Sequence, residues 1–230
     1  MFRPSLALFL FTVLSVMTLR AEPVPNVSRW EKNIQGYVAG DAVNPPKQNG
    51  VLFIGSSSIR LWKTLESDFP NHDVINRGFG GSKIKDSVEF ADRIAIPYKP
   101  RLIIFYAGSN DIASGDTPER VFSDYRAFVQ KIHAALPETQ IAFLSIVPAP
   151  AREKKAAEIA KANKLIEEFS KSTPNCHYID AATPLFDADG APKMDCFAKD
   201  RLHLSPAGYV LWRETVAPWL DKLASVDQQS

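Results

Sequence analysis

The sequence predicts an α/β domain, a doubly wound parallel sheet covered by helices on both faces, and three observations carry that expectation. From Val51 onward, short apolar runs rich in β-branched and aromatic residues recur along the chain. Longer segments with helical periodicity separate them, and glycine-rich polar turns follow the runs. Runs that are apolar throughout, without alternation, suit strands buried on both faces, and intervening helices supply the crossovers that parallel strands need. In such a sheet ligands bind beyond the carboxyl ends of the strands, so those turns are where chemistry is expected.

Residues 1–21 begin with Arg3, run apolar from Leu6 to Leu19 and reach the small residue Ala21. This is the pattern of a cleaved signal peptide and predicts a secreted or periplasmic protein. The run is shorter than the roughly 20 apolar residues that span a bilayer, and Thr12, Ser15 and Thr18 interrupt it. No cysteine lies near Ala21 to take a lipid, so no stable membrane anchor is expected after cleavage. Residues 22–50 read as an N-terminal arm with a short helix around Trp30–Val38, and Asn26-Val27-Ser28 matches a glycosylation sequon.

The predicted strands are Val51–Ile54, Val74–Asn76, Leu102–Tyr106, Ile141–Val147 and His177–Ile179. Between them fall predicted helices near Ile59–Leu65, Lys83–Ala95, Pro118–Leu136 and Arg152–Ser172, with a last one over Pro206–Leu223. The third of these is the clearest: Val121, Tyr125, Phe128, Val129, Ile132 and Leu136 recur at helical spacing, Thr117 can cap, and Pro118 suits the first turn. The domain is therefore expected over 51–223, leaving 224–230 as a tail.

Charge excludes some classes of function. Export would remove two arginines, Arg3 and Arg20, from the 27 basic residues and leave the 26 acidic ones, a formal charge of −1. Nothing in that balance points to nucleic acid. No paired CxxC or HExxH supplies a metal site, and Asp187-Ala188-Asp189-Gly190, though like the opening of a calcium loop, lacks the later ligands and reads as a polar turn. The two cysteines, Cys176 and Cys196, form either one disulfide or two buried thiols; an oxidising compartment favours the bond.

The polar turns hold the parts of an acyl-transfer site. They are Gly55-Ser56-Ser57-Ser58, Asn76-Arg77-Gly78-Phe79-Gly80-Gly81, Gly108-Ser109-Asn110-Asp111 and Asp200-Arg201-Leu202-His203. A serine hydroxyl attacks only with a base beside it and a third group to orient that base, and the tetrahedral intermediate needs donors aimed at its oxyanion. A serine between a strand and a helix presents its N–H at a positive helix end, a glycine allows close backbone approach, and an asparagine amide is a neutral donor.

On these residues the sequence resembles the SGNH, or GDSL, hydrolase superfamily, whose blocks contribute Ser, Gly, Asn and His in that order. Ser57 falls on the nucleophile, Gly81 on the oxyanion glycine, Asn110 on the block III asparagine, and Asp200 with His203 on the DxxH. Where the family's usual motif is GDS, this chain has Gly55-Ser56-Ser57, with serine in place of the acid. GSSSIRLW, NRGFGG and AGSND together resemble a bacterial branch that carries that serine. Three serines stand together, and alignment to GDS selects Ser57 over Ser56 and Ser58. The resemblance implies a three-layer flavodoxin-like domain with a five-stranded parallel sheet. It also implies cofactor-free and metal-free ester hydrolysis, with catalytic Ser57, Asp200 and His203 and an oxyanion hole from Ser57 N–H, Gly81 N–H and Asn110.

The remaining candidates read as structural. His72, His133 and His177 have no carboxylate at matching spacing, and Asp111 is expected to brace its turn. Arg60, Trp62, Arg77 and Phe79 either border the site or pack. The expected substrate is a small acyl ester, acetyl on a carbohydrate, with no obligate protein partner evident. A lysophospholipase or short-chain lipid esterase shares the chemistry. An acyltransferase would pass the acyl group to a sugar hydroxyl, and a vestigial binding module would form no acyl-enzyme.

Overall fold

The computed structural model describes residues 29–226. Residues 1–21, where a signal peptide is expected, the Asn26 sequon and residues 227–230 lie outside the described residues. Helix α1 (Glu31–Val43) precedes β1 (Val51–Gly55), which leads into two short helices, α2 (Ser57–Arg60) and α3 (Leu65–Asp68). There follow β2 (Val74–Gly78), α4 (Ile84–Ile94), β3 (Leu102–Tyr106), α5 (Ser109–Ala113) and α6 (Pro118–Ala135). The chain closes with β4 (Gln140–Leu144), α7 (Ala156–Ser172), β5 (Cys176–Ile179) and α8 (Pro206–Val226).

All five strands are parallel, in the order β2-β1-β3-β4-β5. The order reverses between β1 and β3, so the crevice at their carboxyl ends is the switch point of a flavodoxin-like sheet. Register brings the turns there side by side, since Gly55 pairs with Gly78 on one flank and with Tyr106 on the other. Gly55 permits this. Its φ of 139° is outside the range of most L-residues, and a Cβ there would stand 2.0 Å from the Tyr106 carbonyl oxygen.

Side chains alternate between two cores. Leu52, Ile54, Ile103, Phe105, Ile141 and Phe143 face α1, α4, α6 and α7, where Ile34, Phe90, Phe128 and Ile159 pack on them. Val51, Phe53, Leu102, Ile104 and Leu144 face the opposite way, onto Trp62, Phe69, Trp212 and Val216. Both faces are therefore covered, which is why the runs are apolar throughout. The sheet also separates the cysteines. Cys176 lies in the first core and Cys196 in the second, so the expected disulfide gives way to two buried free thiols.

The predicted helix over Ile59–Leu65 is replaced by α2 and α3. Ile59, Trp62 and Leu65 are all buried, but the helix stops at Arg60: Asn76 Nδ2 takes the Ile59 carbonyl at 2.8 Å, and Trp62 Nε1 donates to Asp68 Oδ2 at 2.6 Å. The predicted strand over Ile141–Val147 ends at Leu144. Beyond it Asn163 on α7 imitates a strand edge, accepting from Ile146 N–H at 2.8 Å and donating to Ile146 O at 2.9 Å. The start predicted at Arg152 is a 3₁₀ turn over Pro150–Lys155 before α7 begins. Helix α1 runs past the expected Val38, with Asp41 accepting from Tyr98 Oη at 2.6 Å and paired to Arg77.

Candidate active site

Strand β1 delivers Ser57 to the first residue of α2, with extended Ser56 as its N-cap. No side chain caps this helix start, so the Ser57 N–H is one of the donors that a helix leaves unsatisfied at its N-terminus. The three serines differ in their surroundings. Ser56 and Ser58 are 4% and 7% exposed, whereas Ser57 is half-buried and its Oγ lies 2.9 Å from His203 Nε2. The hydrogen bond singles out Ser57 without reference to any motif.

The loop before α8 forms a compact base unit. Asp200 Oδ1 accepts from the Leu202 and His203 backbone N–H groups, each at 3.0 Å, while Oδ2 stands 2.6 Å from His203 Nδ1. Arg201 takes a left-handed φ of 56° so that the loop can close, and Ala198 N–H donates to the His203 carbonyl at 2.8 Å. The backbone N–H of His203, then the His203 side chain and the backbone N–H of Leu202, hold the Asp200 carboxyl down at about 2. Asp200 is thus an anion that only accepts, which places the imidazole proton on Nδ1 and leaves Nε2 as an acceptor for the Ser57 hydroxyl.

Strand β3 delivers Asn110 in the first turn of α5, a helix of five residues absent from the sequence expectation. Its Nδ2 donates to the Ser82 carbonyl at 3.0 Å, tying it to the loop that carries Gly81 and leaving a second amide hydrogen. Asn110, Ser57 and His203 line one small cleft with Tyr106, Val147 and Ala149, of about 20 Å³. Gly81 is not among the residues lining that cleft; it adjoins it through Ser82, in a left-handed φ of 75°. No described residue accepts the Gly81 N–H.

Asp111 does brace its turn, and more tightly than its sequence position suggests. It is 0% exposed, Oδ1 accepts from Ile84 N–H at 3.1 Å across the two loops, and Oδ2 is buried without a partner. Burial pushes its pKa up to about 6, with the Ile84 N–H and Lys83 acting against the shift and Asp116 adding to it. Because the folded value lies above the ordinary 3.8, the fold holds the extra proton between these limits. Stability is greatest below the lower value and is lost as pH rises through the upper one. Asp111→Asn keeps an acceptor for Ile84 without the charge. Relative to this variant, wild type loses on the order of 2–3 kcal/mol between pH 4 and pH 8. Thermal melts at pH 4, 6 and 8 check this; a difference that is flat with pH would refute it.

The other expected bystanders have structural partners. His72 meets Asp221 and Arg101, His133 the Thr139 carbonyl and His177 the Gln140 amide. Trp62 and Phe79 are core aromatics, and Arg77 is held by Asp41 and Tyr98. Asp187 Oδ1 accepts from Asp189 and Ala191 N–H, closing the polar turn. Among the described residues, no cluster of three or more His, Cys, Asp or Glu could hold a metal, and no helix is long and apolar enough to cross a membrane.

Residues 55–211 match the model of the GDSL-like lipase/acylhydrolase family. The chain belongs to this family. It is a carboxylic ester hydrolase. Over 222 residues, 90% of each chain, this acylhydrolase is 27% identical to the platelet-activating factor acetylhydrolase IB subunit alpha1 of Bos taurus. A GDSL-like lipase from Bacteroides thetaiotaomicron superposes with a TM-score of 0.72 at 20% identity, covering 83% of this chain and 98% of the other. An acetylxylan esterase from Geobacillus stearothermophilus, solved as a catalytic mutant, superposes with a TM-score of 0.60 at 13% identity, covering 77% and 95%. These superpositions agree with the three-layer, five-stranded sheet of this acylhydrolase.

Proposed function

We propose that this acylhydrolase removes small acyl groups, acetyl foremost, from carbohydrate esters through a Ser57 acyl-enzyme. The hydrogen-bonded run Ser57–His203–Asp200 is the observation that carries the reading. His203 Nε2 takes the Ser57 proton as Oγ bonds to the ester carbon, and the carbonyl oxygen becomes an oxyanion facing Ser57 N–H, Gly81 N–H and the Asn110 amide. Collapse breaks the bond to the alcohol, which leaves with the proton from His203. Water then attacks the acyl-enzyme, gives its proton to His203, and releases Ser57 and the acid. Asp200 keeps the imidazole oriented and balances its transient positive charge.

The small cleft, of about 20 Å³ with Tyr106, Val147 and Ala149 among its lining residues, supports a short acyl group. The name of the Bos taurus relative, an acetylhydrolase, agrees on acetyl. The carbohydrate alcohol rests on the apolar run Leu6–Leu19, which fits export of the mature chain to the periplasm or medium, and on the habits of the superfamily. That same relative favours a second reading, an acetyl ester of the platelet-activating factor type.

A panel of nitrophenyl esters from acetyl to dodecanoyl, run beside acetylated oligosaccharides, tests the proposal. The expected result is a kcat/KM for acetyl that exceeds that for octanoyl by roughly 10²-fold, since a longer chain extends beyond the small cleft. A preference for long chains would overturn the acyl assignment. Acetyl transfer to an added sugar in place of water would turn the hydrolase into a transferase.

A further inference from the structure

We propose that Trp30, on the N-terminal arm, is a positioning residue that aims the Gly81 N–H at the oxyanion. The inference rests on the oxyanion reading above and adds to it a residue outside the family match at 55–211. Three side chains of the arm reach three carbonyls of the loop after β2. Tyr37 Oη donates to Gly78 O at 2.5 Å, Trp30 Nε1 to Gly80 O at 2.9 Å, and Arg29 Nη2 to Gly81 O at 2.7 Å. The indole is fixed in turn, edge-on to Phe79 with centroids 5.9 Å apart and with the Arg29 guanidinium 3.9 Å over its ring.

The middle contact is the one with a chemical consequence. The Gly80 carbonyl and the Gly81 N–H are the two ends of one peptide unit. In a planar trans peptide they point in opposite directions, and none of the described peptides is cis. An indole N–H that holds the carbonyl therefore turns the N–H away from the arm, where no described residue accepts it. Glycines at 80 and 81 leave this peptide free to rotate, and Gly81 already has a φ of 75°. Without Trp30 the plane can flip, putting a carbonyl oxygen where the oxyanion needs a donor. The peptide two units earlier differs: its Gly78 carbonyl is held by Tyr37, but its Phe79 N–H donates to Gly55 O at 2.9 Å and is committed to the fold.

That difference gives the test. Trp30→Phe retains an aromatic ring against Phe79 and loses the donor, and Tyr37→Phe removes the equivalent bond two peptide units before the oxyanion donor. With nitrophenyl acetate, Trp30→Phe lowers kcat about tenfold or more with KM little changed, while Tyr37→Phe keeps kcat within about twofold. A trifluoromethyl ketone, whose adduct with Ser57 carries an oxyanion, loses affinity for Trp30→Phe by the same factor, and acetate binding does not move. Trp30→Met, which fills the space with a flexible chain and no donor, repeats the result on a second background, with melting temperatures recorded for all three. Equal losses in Trp30→Phe and Tyr37→Phe, or unchanged turnover in Trp30→Phe, overturn the proposal. Asn110→Ala measured in parallel separates the two ideas. If it keeps full turnover, the oxyanion reading itself fails; if it loses turnover while Trp30→Phe does not, only the role of Trp30 fails.

Discussion

Replacement of Ser57 by alanine leaves the enzyme folded and lowers kcat by on the order of 10⁴- to 10⁶-fold, the loss expected when a nucleophile is removed from a unit that acts as a whole. The fold survives because the hydroxyl contributes little to it. Its hydrogen-bond partner is His203 Nε2, it caps no helix, and the strand and helix around it are held by backbone bonds such as Ser56 N–H to Tyr106 O at 2.9 Å. The imidazole left behind keeps its bond to Asp200 and is 26% exposed, so water can replace the serine. Loss of a strained or unfulfilled active-site group often leaves stability unchanged or slightly raised. Ser56→Ala and Ser58→Ala, at buried positions without a bond to His203, cost less than tenfold in kcat. Hydrolysis of nitrophenyl acetate, fluorophosphonate labelling and a melting curve for each variant decide the matter. Labelling and turnover that persist in Ser57→Ala would move the nucleophile elsewhere.

The elements that were legible in the sequence are those whose burial is uniform along their length. Leu102–Tyr106 is apolar at every position because β3 is central and covered on both faces, and its limits coincide with the observed strand. Helix α6 shows its buried stripe, its Thr117 cap and its Pro118 start in the primary sequence, and it ends one residue from the expected place. What escaped depends on contacts between distant segments. Helix α5 has five residues, too few for any periodicity, and exists because Gly108 turns the chain at φ 117° toward α6. The break after Arg60 is made by Asn76 and Asp68, and the end of β4 by Asn163, none of which carries a local signal. The disulfide expectation failed for the same reason: spacing along the chain says nothing of a sheet lying between two thiols.

Within the candidate site, motif order singled out Ser57, Asp200 and His203, which the structure joins by hydrogen bonds, while geometry supplied contacts that motifs lack. The hydrogen bond of His203 to Asp200 was legible because the two are three residues apart, so a local loop can build the pair without help from the rest of the chain. The burial of Asp111 and the reach of Trp30 to Gly80 were not recognisable. Both are contacts of 27 or more residues in sequence separation, and neither residue type is unusual in a turn or an arm. The loop after β2 is therefore braced from two sides, by Asp111 through Ile84 and by the arm through its carbonyls.

Asn110→Ala lowers kcat by about 10²- to 10³-fold and leaves KM within a few fold. The Asn110 amide has two hydrogens with different duties. One is engaged with the Ser82 carbonyl at 3.0 Å and fixes the plane of the amide; the other, on the proposed mechanism, is the one that meets the substrate oxygen. A donor held in advance spends no energy turning toward the charge as it develops, and in a small cleft bordered by Val147 and Ala149 little water competes with it. Truncation to alanine removes both functions, freeing the Ser82 carbonyl as well as the oxyanion. Asn110→Asp distinguishes them. A carboxylate at 110 faces the Ser82 carbonyl with no donor and opposes the developing anion, so its kcat falls below that of Asn110→Ala. The ordering wild type, Asn110→Ala, Asn110→Asp in kcat, with the reverse ordering in dissociation constant for a trifluoromethyl ketone absent, would refute an electrostatic role; both trends together, read from steady-state rates and inhibitor titrations, are the expected outcome because both report stabilisation of the same charge.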